Sequence, residues 1–225
     1  MSYGPEDLRR SDAPGALELA FANTRAGAEA IRRGGGLFAT TQFAAEVEAF
    51  RRYTEIRRLD QISQRLSDPP DTFGYEHCVW FPRDGEQPAR VLKATFGNCF
   101  GHLPDGTEGT PAGYLQRLIL QNQVFGDDIR LESFCETRPG VYQTITSQPA
   151  VEGRPAEQEE INAFFTQAGF QLSLFRGRQV WYRMSDGIAC SDTHGGNLLM
   201  NRENRLIAID VPAMYADLGE VESLI

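Results

Sequence analysis

The chain has 225 residues, 41% of them apolar and 24% charged, a composition that excludes a highly charged disordered chain and supports a folded core. Its net charge of −9, with the Arg pairs at Arg9-Arg10, Arg32-Arg33, Arg51-Arg52 and Arg57-Arg58 interleaved with Asp and Glu, argues against a nucleic-acid partner, which needs a positive surface to displace counterions. No apolar run approaches the roughly 18–20 residues of a membrane span, no export signal is visible, and Cys78, Cys99, Cys135 and Cys190 form no paired framework; the expectation is a cytoplasmic protein with reduced thiols and no membrane partner.

In chain order, Ala16–Arg33 reads as a helix rich in Ala, Leu and Glu, stopped by Gly34-Gly35-Gly36. Gln42–Leu66 carries Phe43, Val47, Phe50, Tyr53, Ile56, Leu59 and Ile62 at spacings of three and four, one face of a second helix that ends at Ser67-Asp68-Pro69-Pro70. From Tyr75 the pattern turns to strands: His77–Phe81 and Arg90–Phe96 form a hairpin about the turn Arg83–Glu86. Pro111–Phe125 is a helix with Pro in its first turn, followed by strands over Ile129–Glu136 and Val141–Thr146. Gln148–Arg154 reads as a polar connector and Ala156–Gly169 as a helix. Short strands follow at Val180–Met184, Ile188–Cys190, Leu198–Met200 and Leu206–Val211, and Ala213–Ile225 is expected to form one short helix.

Of 22 basic residues, 21 are Arg and the remaining one is Lys93, in the middle of the second strand. A lone Lys in a chain drifted to Arg suggests a place where a compact ammonium does what a planar guanidinium cannot. The densest polar cluster is Ser191-Asp192-Thr193-His194-Gly195-Gly196-Asn197, which lies between short strands and leads to Leu206-Ile207-Ala208-Ile209-Asp210. Asp192 precedes Asn197 by five residues, and Asp210 follows Asn197 by thirteen. Singly, Asp192 and Asn197 read as turn formers, Asp210 as a strand-end cap and Lys93 as an edge-strand side chain that snorkels to water. Together their order and strand context favour one converging site.

That spacing resembles the catalytic loop and metal-binding Asp of protein kinases and aminoglycoside-phosphotransferase-like enzymes, and Val91-Leu92-Lys93 resembles the strand that brings Lys to nucleotide phosphates. The layout from Gly74 to Val211 is similar to the kinase domains of polyvalent proteins of phages and conjugative elements. The similarity includes Gly74-Tyr75-Glu76, Tyr114-Leu115, Asn122, Gln148-Pro149-Ala150-Val151-Glu152-Gly153 and Gly169-Phe170. The resemblance implies an α+β, protein-kinase-like fold: a helical N-terminal extension (1–66), a small antiparallel-sheet lobe (67–147), and a linker with a truncated C-terminal lobe (148–225). It implies ATP and Mg²⁺ as cofactors, with Asn197 and Asp210 as metal ligands and Asp192 set against the attacking hydroxyl. Lys93, Gly74 and Gln148 fall on the nucleotide side. The acceptor, a protein or small-molecule hydroxyl, is not implied.

The sequence departs from that pattern in several places. No G-x-G-x-x-G precedes the hairpin, Cys190-Ser191 stands before Asp192, and Val211-Pro212-Ala213 follows Asp210. The helix Pro111–Phe125 offers no Glu to pair with Lys93, leaving Gln116, Gln121, Glu108 or Glu132 as substitutes. With 15 residues after Asp210, no large platform for a peptide substrate is expected. A kinase-like module that binds nucleotide, or only a partner, without catalysis is the competing reading. A metal-dependent hydrolase using Asp192, His194 and Asp210 is a third, and His194 is assigned to holding its loop.

Overall fold

The computed structural model describes residues 15–34, 41–57, 64–102, 104 and 107–223. The end of the second helix and the Gly34–Gly36 stop lie largely outside them. Helices α1 (Ala16–Gly34) and α2 (Gln42–Arg57) pack closely through small residues, Ala28, Ala45 and Ala49 being buried at their contact. A Cβ added at Gly27 would stand 2.9 Å from that of Ala49, so glycine permits the approach. Residues 58–63 of the expected long helix lie outside the described residues, and its end falls in a short 3₁₀ turn, Gln64–Ser67.

Helix α3 (Pro111–Phe125) has the bounds its sequence predicts because its signals are local. The Thr110 hydroxyl accepts from the Gly113 N–H at 3.2 Å, Pro111 suits the first turn, and Gly126 at φ 66° closes the end. One face of α3, carrying Tyr114, Leu115, Leu118 and Ile119, packs on Leu17, Phe50 and Tyr53 of the N-terminal helices and on Phe134. Leu120 faces a second core. The N-terminal helices are thus built into the body of the protein. The carboxylate of Glu46 on α2 accepts from the Ala112 N–H at 2.9 Å, joining α2 to the N-terminus of α3.

The first sheet has strand order β1 (Thr72–Phe73), β2 (His77–Trp80), β3 (Arg90–Thr95), β5 (Val141–Pro149), β4 (Arg130–Arg138), all pairs antiparallel. The Asn122 side chain bonds both the N–H and the carbonyl of Ile129, fixing the passage from α3 into β4. The expected connector at Gln148 is instead the end of β5, because Gln148 and Pro149 continue the ladder opposite Val91 and Arg90. Next come β6 (Gly153–Pro155) and α4 (Gln158–Gln167), the latter shorter than expected. At its start the Glu160 carboxylate accepts from the Glu157 N–H.

The rest forms two sheets. β10 (Leu198–Asn201) pairs with β11 (Leu206–Ala208) on one side and β6 on the other. The third sheet has order β12 (Ala213–Tyr215), β9 (Ile188–Cys190), β8 (Arg178–Arg183), β7 (Gln171–Phe175), β13 (Val221–Ser223). Strand β7 was not anticipated. It meets β8 through Arg176 and Gly177, at φ 48° and 76°, the left-handed pair of a tight hairpin turn. The helix expected over Ala213–Ile225 is corrected to β12, a 3₁₀ turn and β13, because these segments fill the open edges of β9 and β7. The second core, with Ile161, Phe165, Phe170, Trp181, Leu198 and Val211, lies beneath these strands. The architecture is α+β with antiparallel sheets.

Candidate functional site

Lys93 sits in β3 between Val79 of β2 and Thr146 of β5, and its Nζ donates to the Ile209 carbonyl at 2.5 Å. The Ile209 N–H in turn donates to the Asn197 carbonyl at 2.8 Å. One chain of bonds therefore connects the strand carrying Lys93, the residue before Asp210, and the end of the polar loop. Burial pushes the Lys93 ammonium below its ordinary value, opposed chiefly by the charge of Asp210 and also by those of Asp127 and Glu76.

Asp210 is held by a residue the sequence did not single out. Arg117, on α3 and 2% exposed, donates from Nη2 to Asp210 Oδ1 at 2.5 Å and from Nη1 to Glu76 Oε2 at 2.7 Å. Nη1 also donates to the His102 carbonyl at 3.2 Å. Gly101 backs this contact at φ 72°, where a Cβ would stand 2.6 Å from Arg117 and 2.8 Å from Glu76. Burial alone would raise the Asp210 carboxyl; Arg117, then Lys93 and His77, more than reverse that and hold it well below the usual carboxylate range. His77 Nδ1 lies 3.9 Å from Asp210 Oδ2, and His77 Nε2 lies 2.9 Å from the Tyr114 hydroxyl. Burial takes the His77 imidazole down to about 4, so the ring is neutral at pH 7.

The loop from Asp192 to Asn197 is organised by its own residues. Asp192 adopts φ 55°, and Asn197 Nδ2 donates both to the Asp192 carbonyl at 3.0 Å and to its carboxylate at 2.7 Å. Binding at Nδ2 leaves the Asn197 amide oxygen as the donor atom for a hard cation, and Asp210 is ionised, so the oxygen donors present suit Mg²⁺. His194 Nδ1 accepts from the Gly196 N–H at 2.9 Å and Nε2 lies 3.3 Å from Asp192 Oδ1, the loop-holding place expected for it. A Cβ at Gly195 would stand 2.6 Å from the Ala156 carbonyl, which explains glycine there. Asp192 and His194 border a hollow of about 430 Å³, lined also by Gln158, Asn162, Gln179 and Trp181.

Two nucleotide-side candidates are placed differently. Gly74 is exposed, and its N–H donates to the His77 carbonyl within the β1–β2 turn. Gln148 is buried in β5, its amide nitrogen 3.4 Å from Asp127 Oδ2. Asp127 just beyond α3, which also accepts from Gln121 Nε2 at 3.0 Å, joins Asp210 and Glu76 among the acids around Lys93. Two of the substitutes proposed for a helix Glu are engaged elsewhere: Glu132 accepts from the Ser147 hydroxyl and Gln121 serves Asp127, while Glu108 pairs through its backbone with His102. Arg117, Glu76 and Asp127 were thus missed as site residues. A charged residue within the buried stripe Tyr114, Leu118, Gln121 was the available signal for Arg117.

Residues 105–215 match the family model described as Serine/Threonine/Tyrosine Kinase found in polyvalent proteins. That segment is similar to this family. It takes in α3, the Asp192–Asn197 loop and Asp210, whereas Gly74-Tyr75-Glu76 and Val91-Leu92-Lys93, on which the resemblance to polyvalent-protein kinases also rested, lie outside it. The polyvalent-kinase match begins after Lys93, which is linked to the matched segment through its bond to Ile209. No curated protein and no solved structure matches the chain. Among the described residues, no helix is long and apolar enough to cross a membrane.

Proposed function

We propose that the chain is a kinase-like phosphotransferase that uses ATP and Mg²⁺ and acts on a hydroxyl acceptor. The observation that carries this reading is the link Lys93–Ile209–Asn197, which gathers a cation, an amide oxygen donor and the ionised Asp210 from three separate elements. Lys93 is assigned to the nucleotide phosphates; on binding nucleotide it exchanges the Ile209 carbonyl for phosphate oxygen. Asn197 and Asp210 would hold Mg²⁺, which when bound supplies positive charge to the phosphate oxygens. Asp192, exposed beside the hollow, would take up the proton of the acceptor hydroxyl as its oxygen gains the γ-phosphoryl group of ATP, whose bond to the β-phosphate oxygen breaks to release ADP. Gln148 and Gly74 are assigned to the rim of the nucleotide side.

A second reading, nucleotide or partner binding without catalysis, is favoured by one observation: Asp210 Oδ1 is already bound by Arg117. Thermal unfolding with ATP, with and without Mg²⁺, separates the readings from failure of both. Mg-dependent stabilisation of the wild type that Asp210→Ala abolishes is expected. Phosphoryl transfer that disappears in Asp192→Ala then establishes the enzyme; stabilisation without transfer leaves the binding module, and stabilisation absent from the wild type overturns the nucleotide assignment.

A further inference from the structure

Glu76, His77 and Asp210 each place one ligand-type atom within 4.8 Å of the others, the donor set of a divalent-metal site. Arg117 lies against both carboxylates of this set, at 2.7 and 2.5 Å. Its side chain is 2% exposed, and its Nε is buried with no hydrogen-bond partner among the described residues. A buried guanidinium bridging two carboxylates from separate elements does the electrostatic work of a bound cation. Two carboxylates facing each other without it would repel, and their mutual repulsion would open the junction between the β1–β2 turn and the segment after β11.

We infer that the Arg117 guanidinium is a resident, protein-borne substitute for a divalent cation at the Glu76–His77–Asp210 cluster. It rests on the proposed function only in sharing Asp210, whose Oδ1 it occupies while Oδ2 faces His77. The geometry fits: the guanidinium lies against one oxygen of Glu76 and one of Asp210, as a cation shared by the two carboxylates would. Gly101 reinforces the assignment, since any side chain there would strike the Arg117–Glu76 pair. In this arrangement the guanidinium ties α3 to Asp210, the joining duty for which α3 carries no Glu.

The test uses the full chain and Mn²⁺ alone, with no nucleotide. In the wild type Mn²⁺ should give no stabilisation that His77→Phe removes, because the cation position is filled; binding at Asn197 and Asp210 would survive that substitution. Arg117→Met removes the charge and keeps most of the side-chain volume; it should melt lower and regain about 5 °C or more in millimolar Mn²⁺. Adding His77→Phe should abolish that recovery. Arg117→Lys, which can engage one carboxylate at a time, should fold and show a smaller Mn²⁺ response, and it carries the test should the Met variant not fold. Failure of Mn²⁺ to stabilise either variant overturns the inference, as does a wild type that Mn²⁺ stabilises through His77. Because ATP is absent throughout, none of these outcomes depends on whether the protein transfers phosphate.

Discussion

The two halves of the site are built in opposite ways. Around Asp210, side chains from the β1–β2 turn, β3 and α3 meet through contacts spanning 41 to 116 positions of sequence, and Arg117 at their centre is buried. Within the loop from Asp192 to Asn197 the side-chain bonds join residues two to five apart, and the Asp192 side chain is 58% exposed. The first half is therefore part of what keeps the protein folded, whereas the second is a reactive surface resting on it. Changes to the first should register in stability before they register in chemistry, and changes to the second the reverse.

The largest effect should come from Asp210→Ala, which leaves Arg117 with Glu76 as its one carboxylate partner. The Asp210 side chain is 35% exposed, so its loss from the buried Arg117 should cost less than a fully buried pair, about 2–3 kcal/mol, readable as a lower urea midpoint. An Asp210→Ala protein as stable as the wild type would mean that the Asp210 half is no more structural than the loop. Next, Glu46→Ala removes the carboxylate that α2 offers to the Ala112 N–H, and should cost about 1–2 kcal/mol. Its hydrogen exchange should quicken in α3 and leave Asn197 and Ile209 protected; uniform quickening would show that the two halves do not come apart. Smaller still is a pH effect at Cys190, the buried strand residue beneath the loop, whose thiol burial pushes up to about 12. Since the unfolded chain loses this proton first, near pH 9, the contribution is intact below that pH and lost as pH rises toward 12. Wild type should therefore lose about 1.4 kcal/mol more than Cys190→Ala between pH 8 and 10 by denaturant titration. Equal losses would place that thiol in contact with water.

The same contrast explains what was legible in the sequence. Helix α3 has the bounds expected because Thr110, Pro111 and Gly126 mark its ends within one turn, and β9 has the ends expected for Ile188–Cys190. The loop was legible because its spacing is local. Strands β12 and β13 were not, since Ala213–Tyr215 and Val221–Ser223 become strands only by meeting the edges of β9 and β7, which lie more than twenty positions earlier. Arg117 was illegible as one of 21 arginines; what marks it is burial against Glu76 and Asp210, a property of the assembled fold. Lys93 was legible by composition, whereas its carbonyl partner, a backbone atom 116 residues away, was not.

The smallest effect on stability should accompany the most informative effect on chemistry. Asn at position 192 tolerates the left-handed backbone that Asp192 adopts at φ 55°, and its amide oxygen can still accept from Asn197 Nδ2. Asp192→Asn should thus keep the loop and change stability by less than about 0.5 kcal/mol. It removes the carboxylate that can take up a proton, so phosphoryl transfer should fall by about 10²- to 10⁴-fold with Mg-dependent ATP stabilisation unchanged. Transfer at the wild-type rate would remove Asp192 from the chemistry and leave it a turn former. Loss of ATP stabilisation as well would mean that the exposed loop and the buried Asp210 network act as one unit, against the division drawn from their geometry.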